Sequence, residues 1–117
     1  ALDSAPKDGD KKTYQMDPRN KSESLIEAEL DELEGADILM VKPALSYLDV
    51  IQTIKKNSNL PVSAYNVSGE YSMVMSSTDS AESRENMVRE IFHSFKRAGA
   101  DIIVSYHTRE AVSRNWI

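Results

Sequence analysis

The chain lacks cysteine, so neither a disulfide framework nor a thiolate metal site can form within its 117 residues. It has no apolar run of about 18 residues and its N-terminus is polar, so we expect neither a transmembrane span nor a signal peptide. Basic side chains number 14 against 19 acidic ones. The resulting net charge of -5 argues against a nucleic acid or an anionic membrane as a partner.

Several common catalytic motifs are also missing. The sequence contains no glycine-rich phosphate loop, no HExxH and no GxSxG. His93 and His107 have no partner at metal-ligand spacing, so both are expected to be structural. With 40% apolar residues, the chain is nevertheless long enough to form one small hydrophobic core.

Strand-like and helix-like patterns alternate along the chain. Short apolar runs predict three strands, over residues 37–42, 61–67 and 101–106. Helical periodicity predicts four helices, over residues 20–33, 46–56, 81–98 and 109–116. This alternation implies right-handed βαβ units and a parallel sheet.

The first predicted helix has recognisable ends and two different sides. Asn20 and Glu23 resemble a capping box, and Gly35 supplies the stop. One side is mostly apolar and is expected to face the core; it comprises Leu25, Ile26, Glu29, Leu30 and Leu33. The opposite side is acidic and includes Glu27.

Three polar segments are expected to lack regular structure. Residues 1–19 are rich in Asp, Lys, Gly and Pro and should form a loop or lid. Ser68-Gly69 should be a turn after the second strand. Residues 75–83 contain mostly Ser, Asp, Thr and Ala and should form a mobile connection.

The first predicted strand ends on a lysine. Its apolar run predicts burial on both faces, and alternation places Lys42 on the side of Met40 and Ile38. Desolvation at the end of such a dry strand favours the neutral amine, which is a nucleophile. For the lysine considered alone, we prefer the simpler interpretation that its stem packs while its ammonium reaches solvent.

An internal repeat relates this lysine to a tyrosine. The segments 35–42 (GADILMVK) and 99–106 (GADIIVSY) align at an offset of 64 residues, with Lys42 opposite Tyr106. Equivalent units would place both side chains at one height, at the carboxyl edge of the sheet, where α/β proteins form their sites. For Tyr106 alone, a phenol that caps a barrel layer is equally compatible.

Five segments together resemble the porphobilinogen synthase (5-aminolevulinate dehydratase) family. They are GDKKTYQM (9–16), GADILMVKP (35–43), YLD (47–49), AYNVSGEY (64–71) and RAGADII (97–102). The resemblance implies a (βα)8 TIM barrel of which this chain is the C-terminal third, with its last three βα units. Residues 1–19 would be an active-site lid, and residues 20–117 the βα units. Residues 75–83 depart from the family pattern because they are more polar and about one residue shorter.

The resemblance also implies roles for individual residues. Lys42 would form a Schiff base with the first 5-aminolevulinate, and Ser68 and Tyr106 would bind its carboxylate. Lys11 would hold the second substrate's carboxylate from the lid, where many members have an arginine whose bidentate fork lysine lacks. Glu27 would bind a regulatory Mg²⁺ through water, near a subunit boundary.

Assembly and compartment follow from the resemblance in the same way. The family forms homo-oligomers, typically octamers, and the wording of segment 9–16 is closest to plant-like members. A plastid-type enzyme, of chloroplast or apicoplast, is therefore expected, and a cytoplasmic one otherwise. Two alternatives stay open at this point: another Schiff-base barrel such as a class I aldolase, which trapping with different carbonyl substrates would separate, and a non-catalytic fragment.

Overall fold

The computed structural model describes residues 21–117, which form a three-stranded parallel sheet and its connecting helices. The strands lie in the order β1-β2-β3 and comprise β1 (Leu39–Val41), β2 (Val62–Asn66) and β3 (Ile102–Ser105). The helices are α1 (Lys21–Leu33), α2 (Leu48–Asn57), α3 (Ser68–Ser77), α4 (Ala81–Ala98) and α5 (Thr108–Ser113), with a 3-10 turn at Leu45–Tyr47. The predicted lid at residues 1–19, with Lys11, and the Asn20 cap lie outside the described residues.

The predicted parallel sheet is confirmed. Both strand pairs are parallel, and each crossover contains helix: α2 between β1 and β2, then α3 and α4 between β2 and β3. Of the helices between residues 21 and 117, none combines the length and the apolarity needed to cross a membrane.

The core lies between one face of the sheet and the crossover helices. Every second side chain of β1 and β2 points to this face and is buried there, namely Leu39, Val41, Val62 and Ala64. They pack with the apolar stripes of α2 and α4, which are Val50, Ile51, Ile54, Val88, Ile91, Phe92 and Phe95. The helical periodicity over residues 46–56 and 81–98 therefore located the two helices that pack on this core.

The other face of the sheet is open among the described residues, and the prediction that β1 is buried on both faces is wrong for this part of the chain. Ile38 and Met40 are 49% and 51% exposed. Ile102, Val104 and Tyr106 are exposed in the same alternating pattern. Helices cover only the Leu39 and Val41 side, so the second face of these three strands has no layer packed on it.

Glycines follow the ends of α1 and α4, at equivalent positions of the internal repeat. Gly35 has φ 95° and Gly99 has φ 118°, values that glycine adopts without the penalty of a β-carbon. The Gly99 and Ala100 amides both donate to the carbonyl of Phe95, which closes α4. A side chain at position 99 would also meet Lys55, whose Cγ lies 3.0 Å from the ideal β-carbon position.

The predictions of a turn at Ser68-Gly69 and of a mobile connection over residues 75–83 are wrong, because α3 occupies residues 68–77. The only link between α3 and α4 is Thr78–Ser80. Hydroxyls near the end of α3 donate to carbonyls four residues earlier: Ser77 in the helix to Met73, and Thr78 directly after it to Val74. These bonds and the buried Val74 allow a polar segment to be helical.

The apolar stripe of α1 does not face the core, which corrects the sequence interpretation. Its buried residues are the small Ser24 and Ala28, and α1 packs with them toward α2. Ile26, Leu30 and Leu33 are exposed. Small side chains allow the closer approach of two helices, so periodicity alone selected the wrong side.

Candidate active site at the carboxyl edge of the sheet

Lys42 directly follows β1 at the carboxyl edge of the sheet and is exposed. Its bond to Pro43 is cis. The dry surroundings expected from the sequence are not present among residues 21–117, because Ile38 and Met40 on its side of the strand are themselves half exposed. Lys42 is therefore correctly placed at the edge, but these residues alone do not desolvate its amine.

Tyr106 follows β3 at the same edge, as the repeat predicts. It lies on the open face with Val104, two residues earlier, and Met40 shares this exposed face on β1. The ring of Tyr71, from α3, packs against it with centroids 5.7 Å apart. The edge thus carries the Lys42 amine and the Tyr106 phenol on one face of the sheet.

Tyr65 is a site residue that the sequence reasoning missed. The strand register places it between Lys42 and Val104, on the central strand. A hydrogen bond with Tyr106 raises the pKa of Tyr65, and partial burial and the Tyr106 charge act in the same direction. Strand alternation could have found it, since Tyr65 pairs in register with Val104, which is exposed on the open face.

Ser68 lies beyond the end of β2, as the first residue of α3, and is half buried. The three strands therefore present Lys42, Ser68 and Tyr106 along one edge, in the order of the sheet. Hydroxyl and phenol donors next to an amine can bind a carboxylate while the amine meets a neighbouring carbonyl carbon.

His107 lies under this edge and is buried, as expected for a structural histidine. Its ring packs on Tyr71 at 4.6 Å between centroids. Burial lowers the pKa of His107; the Glu110 charge opposes this shift and the Arg84 charge adds to it. The Nε2 atom has no hydrogen-bond partner among the described residues. A neutral ring packed against Tyr71 is the consequence.

Glu27 lies on α1, where its side chain is exposed. Within residues 21–117 no three His, Asp or Glu side chains are grouped so that they could hold a metal ion. Glu27 therefore belongs to no grouped set of metal ligands within the described residues.

Comparison with known proteins identifies the chain. The family model described as Delta-aminolevulinic acid dehydratase matches residues 1–114. The chain belongs to the delta-aminolevulinic acid dehydratase family. This is a different family from the class I aldolases, which the lysine alone left open as an alternative.

Members of the family from distant organisms share about half of these residues. The delta-aminolevulinic acid dehydratase of Synechocystis is 59% identical over 112 residues, which cover 95% of this chain and 34% of the relative. The Bacillus subtilis relative is 53% identical over 112 residues, which cover 95% of this chain and 35% of the relative. A chloroplastic relative from Physcomitrium patens is 55% identical, and the match covers 95% of this chain and 26% of the relative. The chain spans about a third of the length of the curated relatives it matches.

A solved member of the delta-aminolevulinic acid dehydratase family has the same fold. The Toxoplasma gondii enzyme, in complex with the reaction product porphobilinogen, superposes with a TM-score of 0.87 at 51% identity. The match covers 97% of this chain and 33% of that one. The fold is that of the C-terminal βα units of a TIM barrel, as the family resemblance implied.

The barrel explains the strand register at the site. Continuing the register places Lys42 level with Val104, two residues before Tyr106. A (βα)8 barrel has a shear of about 8, which is about one residue of stagger per strand. From β1 to β3, two strands along, the stagger therefore amounts to about two residues. Lys42 and Tyr106 thus share one height along a barrel axis.

Proposed function

We propose that the protein containing this chain condenses two molecules of 5-aminolevulinate to porphobilinogen, with loss of water. The observation that carries this proposal is the match, over 97% of the chain, to a porphobilinogen-bound family member. Lys42, Ser68 and Tyr106 lie at the edge of the sheet where a TIM barrel forms its active site.

In the proposed reaction, Lys42 is the nucleophile. Its neutral amine adds to the ketone carbon of the first substrate, water leaves, and the nitrogen becomes part of a protonated imine. That imine withdraws electrons from the substrate while the second molecule is held beside it. Because Ile38 and Met40 are half exposed, the walls that desolvate Lys42 must come from parts of the protein beyond residues 21–117.

Ser68 and Tyr106 are the proposed partners of the first substrate's carboxylate. Both offer hydroxyl donors at the edge, and hydrogen bonds to a charged group are about twice as strong as neutral ones. Tyr65 on the central strand lies next to Tyr106, whose proximity raises the pKa of Tyr65. Lys11, in the proposed lid, binds the carboxylate of the second substrate as a single positive charge.

A regulatory role for Mg²⁺, an octameric assembly and a plastid compartment complete the proposal. Glu27 is exposed on α1 and free to face another subunit, where it would hold the ion through water. The chloroplastic relative at 55% identity supports a plastid-type enzyme, and the bacterial relatives at 59% and 53% support the broader family.

Reductive trapping tests the proposal. The full-length protein is treated with 5-aminolevulinate and borohydride, which reduces an imine to a stable secondary amine, and the modified peptide is mapped. We expect the adduct on Lys42. Lys42→Met keeps the bulk of the stem and should lower turnover by several orders of magnitude with the fold intact.

Lys56→Met is the matched control, because Lys56 is exposed near the end of α2, away from the carboxyl edge of the sheet. It should retain normal turnover and normal trapping. Labelling spread over several surface lysines, or near-normal turnover in Lys42→Met, would show that Lys42 is not the nucleophile.

A further inference from the structure

A buried polar network lies directly behind the proposed site. Its central members are Asn66, which is 0% exposed, and Glu70, which is 5% exposed. Buried acidic side chains are rare unless paired, and a well-packed apolar pair of the same size is often as stable. Neither residue has a role in the function proposed above.

The carboxylate of Glu70 uses both of its oxygens. Oε2 accepts from the backbone N–H of Leu45 at 3.0 Å, and Oε1 accepts from Nδ2 of Asn66 at 2.6 Å. The first bond reaches the segment that follows Lys42 and Pro43. Glu70 itself stands in the first turn of α3, two residues after Ser68.

Asn66 continues the network to the third strand. Its Oδ1 accepts from the hydroxyl of Ser105 at 2.7 Å, and the Ser105 oxygen accepts from the backbone N–H of His107 at 3.0 Å. Ser105 and His107 flank Tyr106. One unbroken chain of hydrogen bonds therefore joins the backbone after Lys42, the residues around Ser68 and the backbone on both sides of Tyr106.

We propose that Glu70, acting through Asn66, is a positioning residue that fixes Lys42, Ser68 and Tyr106 relative to one another. The proposal rests on the function proposed above. Turnover depends steeply on such placement, since a shift of about 1 Å can cost about a hundredfold in rate. Glu70 contacts no substrate in this role, and it exchanges no proton.

Exchanging the amide and the carboxylate between positions 66 and 70 tests this role specifically, because it swaps donor and acceptor. Asn66→Asp places a carboxylate oxygen where Nδ2 donates, so two acceptors oppose each other at the 2.6 Å contact. Glu70→Gln alone replaces one acceptor by a donor. The double variant restores every bond, because the Gln amide donates to Asp, its oxygen accepts from Leu45, and Asp accepts from Ser105.

The variants are made in the full-length protein, and kcat, KM, thermal midpoint and trapping at Lys42 are measured for each. We expect kcat to fall about 10- to 100-fold in Asn66→Asp and less in Glu70→Gln, with the adduct still formed on Lys42. The double variant should recover kcat to within about threefold of the unaltered protein.

The opposite results are equally clear. A purely structural network would lower the thermal midpoint and leave kcat of the folded protein unchanged, which would overturn the inference. A double variant no faster than Glu70→Gln would overturn it even if Asn66→Asp failed to fold. Absence of turnover and of the Lys42 adduct in the unaltered protein would instead refute the proposed function, and the inference with it.

Discussion

The hydroxyl of Tyr106 is the part of that side chain for which we propose a role in binding. The ring packs on Tyr71, and this contact does not need the hydroxyl. Tyr106→Phe should therefore keep the packing and lose one hydrogen bond to a charged carboxylate. The cost is about 1.5–3 kcal/mol, which corresponds to an increase of about 10- to 150-fold in KM.

Steady-state kinetics of the full-length protein with 5-aminolevulinate would measure this effect, and kcat should change much less than KM. Tyr47→Phe is the control, because Tyr47 is a half-buried tyrosine packed against the core. If Tyr106→Phe left KM unchanged, Tyr106 would have a packing role only.

At the scale of elements, one ion pair joins α4 to α5. Arg84 donates from Nε and Nη2 to the two oxygens of Glu110, at 2.7 and 2.8 Å, and the side chains are only 16% and 27% exposed. The hydrogen bonds and charge of Arg84, with a smaller contribution from Arg114, lower the pKa of Glu110 to about 2. The pair fixes the last helix against the helix that packs on the sheet.

This pair should make stability depend on pH. The folded pKa lies below the ordinary value of 4.5, so the contribution is full above about pH 4.5 and is lost as the pH falls toward 2. We expect Glu110→Gln to lower the free energy of unfolding by about 1–2 kcal/mol near neutral pH. The difference from the unaltered protein should shrink as the pH falls through that range.

Urea unfolding of both proteins at several pH values would measure the difference. Arg114→Gln serves as the control, because Arg114 is 51% exposed and its bond to Glu110 should contribute less than about 0.5 kcal/mol. A Glu110→Gln effect that stayed constant with pH would contradict an electrostatic origin.

At the scale of the whole molecule, the exposed surface of α1 bears on assembly. If Glu27 holds a Mg²⁺ ion between subunits, Glu27→Ala should abolish stimulation by Mg²⁺ and shift the assembly to smaller species. Binding favours whichever assembly contains the site, by mass action. Analytical ultracentrifugation with and without chelator would measure the shift, while trapping at Lys42 should be unaffected.

Glu29→Ala is the matched control on the same helix, since Glu29 is also exposed. It should retain both the stimulation and the assembly. Unchanged Mg²⁺ dependence in Glu27→Ala would reduce Glu27 to surface charge.

The open face of the sheet decides how these 117 residues behave when they are made by themselves. Ile38, Met40, Ile102 and Val104 remain 39–51% exposed on it, and β1 and β3 leave two unpaired strand edges among the described residues. We expect the isolated chain to make no porphobilinogen and to be marginally stable or self-associating. A monomer with a cooperative melting transition and activity, seen by light scattering, calorimetry and assay, would contradict this expectation.

The sequence by itself determined the features that depend on near neighbours. Helical periodicity located α2 and α4, the two helices that pack on the core. The glycines at 35 and 99 marked the ends of two helices because few other residues adopt their positive φ. The 64-residue repeat placed Lys42 and Tyr106 at one edge of a parallel sheet.

Only the tertiary structure decided the features that depend on distant partners. Composition could not show that residues 68–77 are helical, because the hydroxyls that usually favour loops bond back to their own helix. Periodicity could not show which side of α1 packs, because small residues make the contact. Burial of Asn66 and Glu70 depends on contacts with residues 45 and 105, and pairing over such separations leaves no local pattern in the sequence.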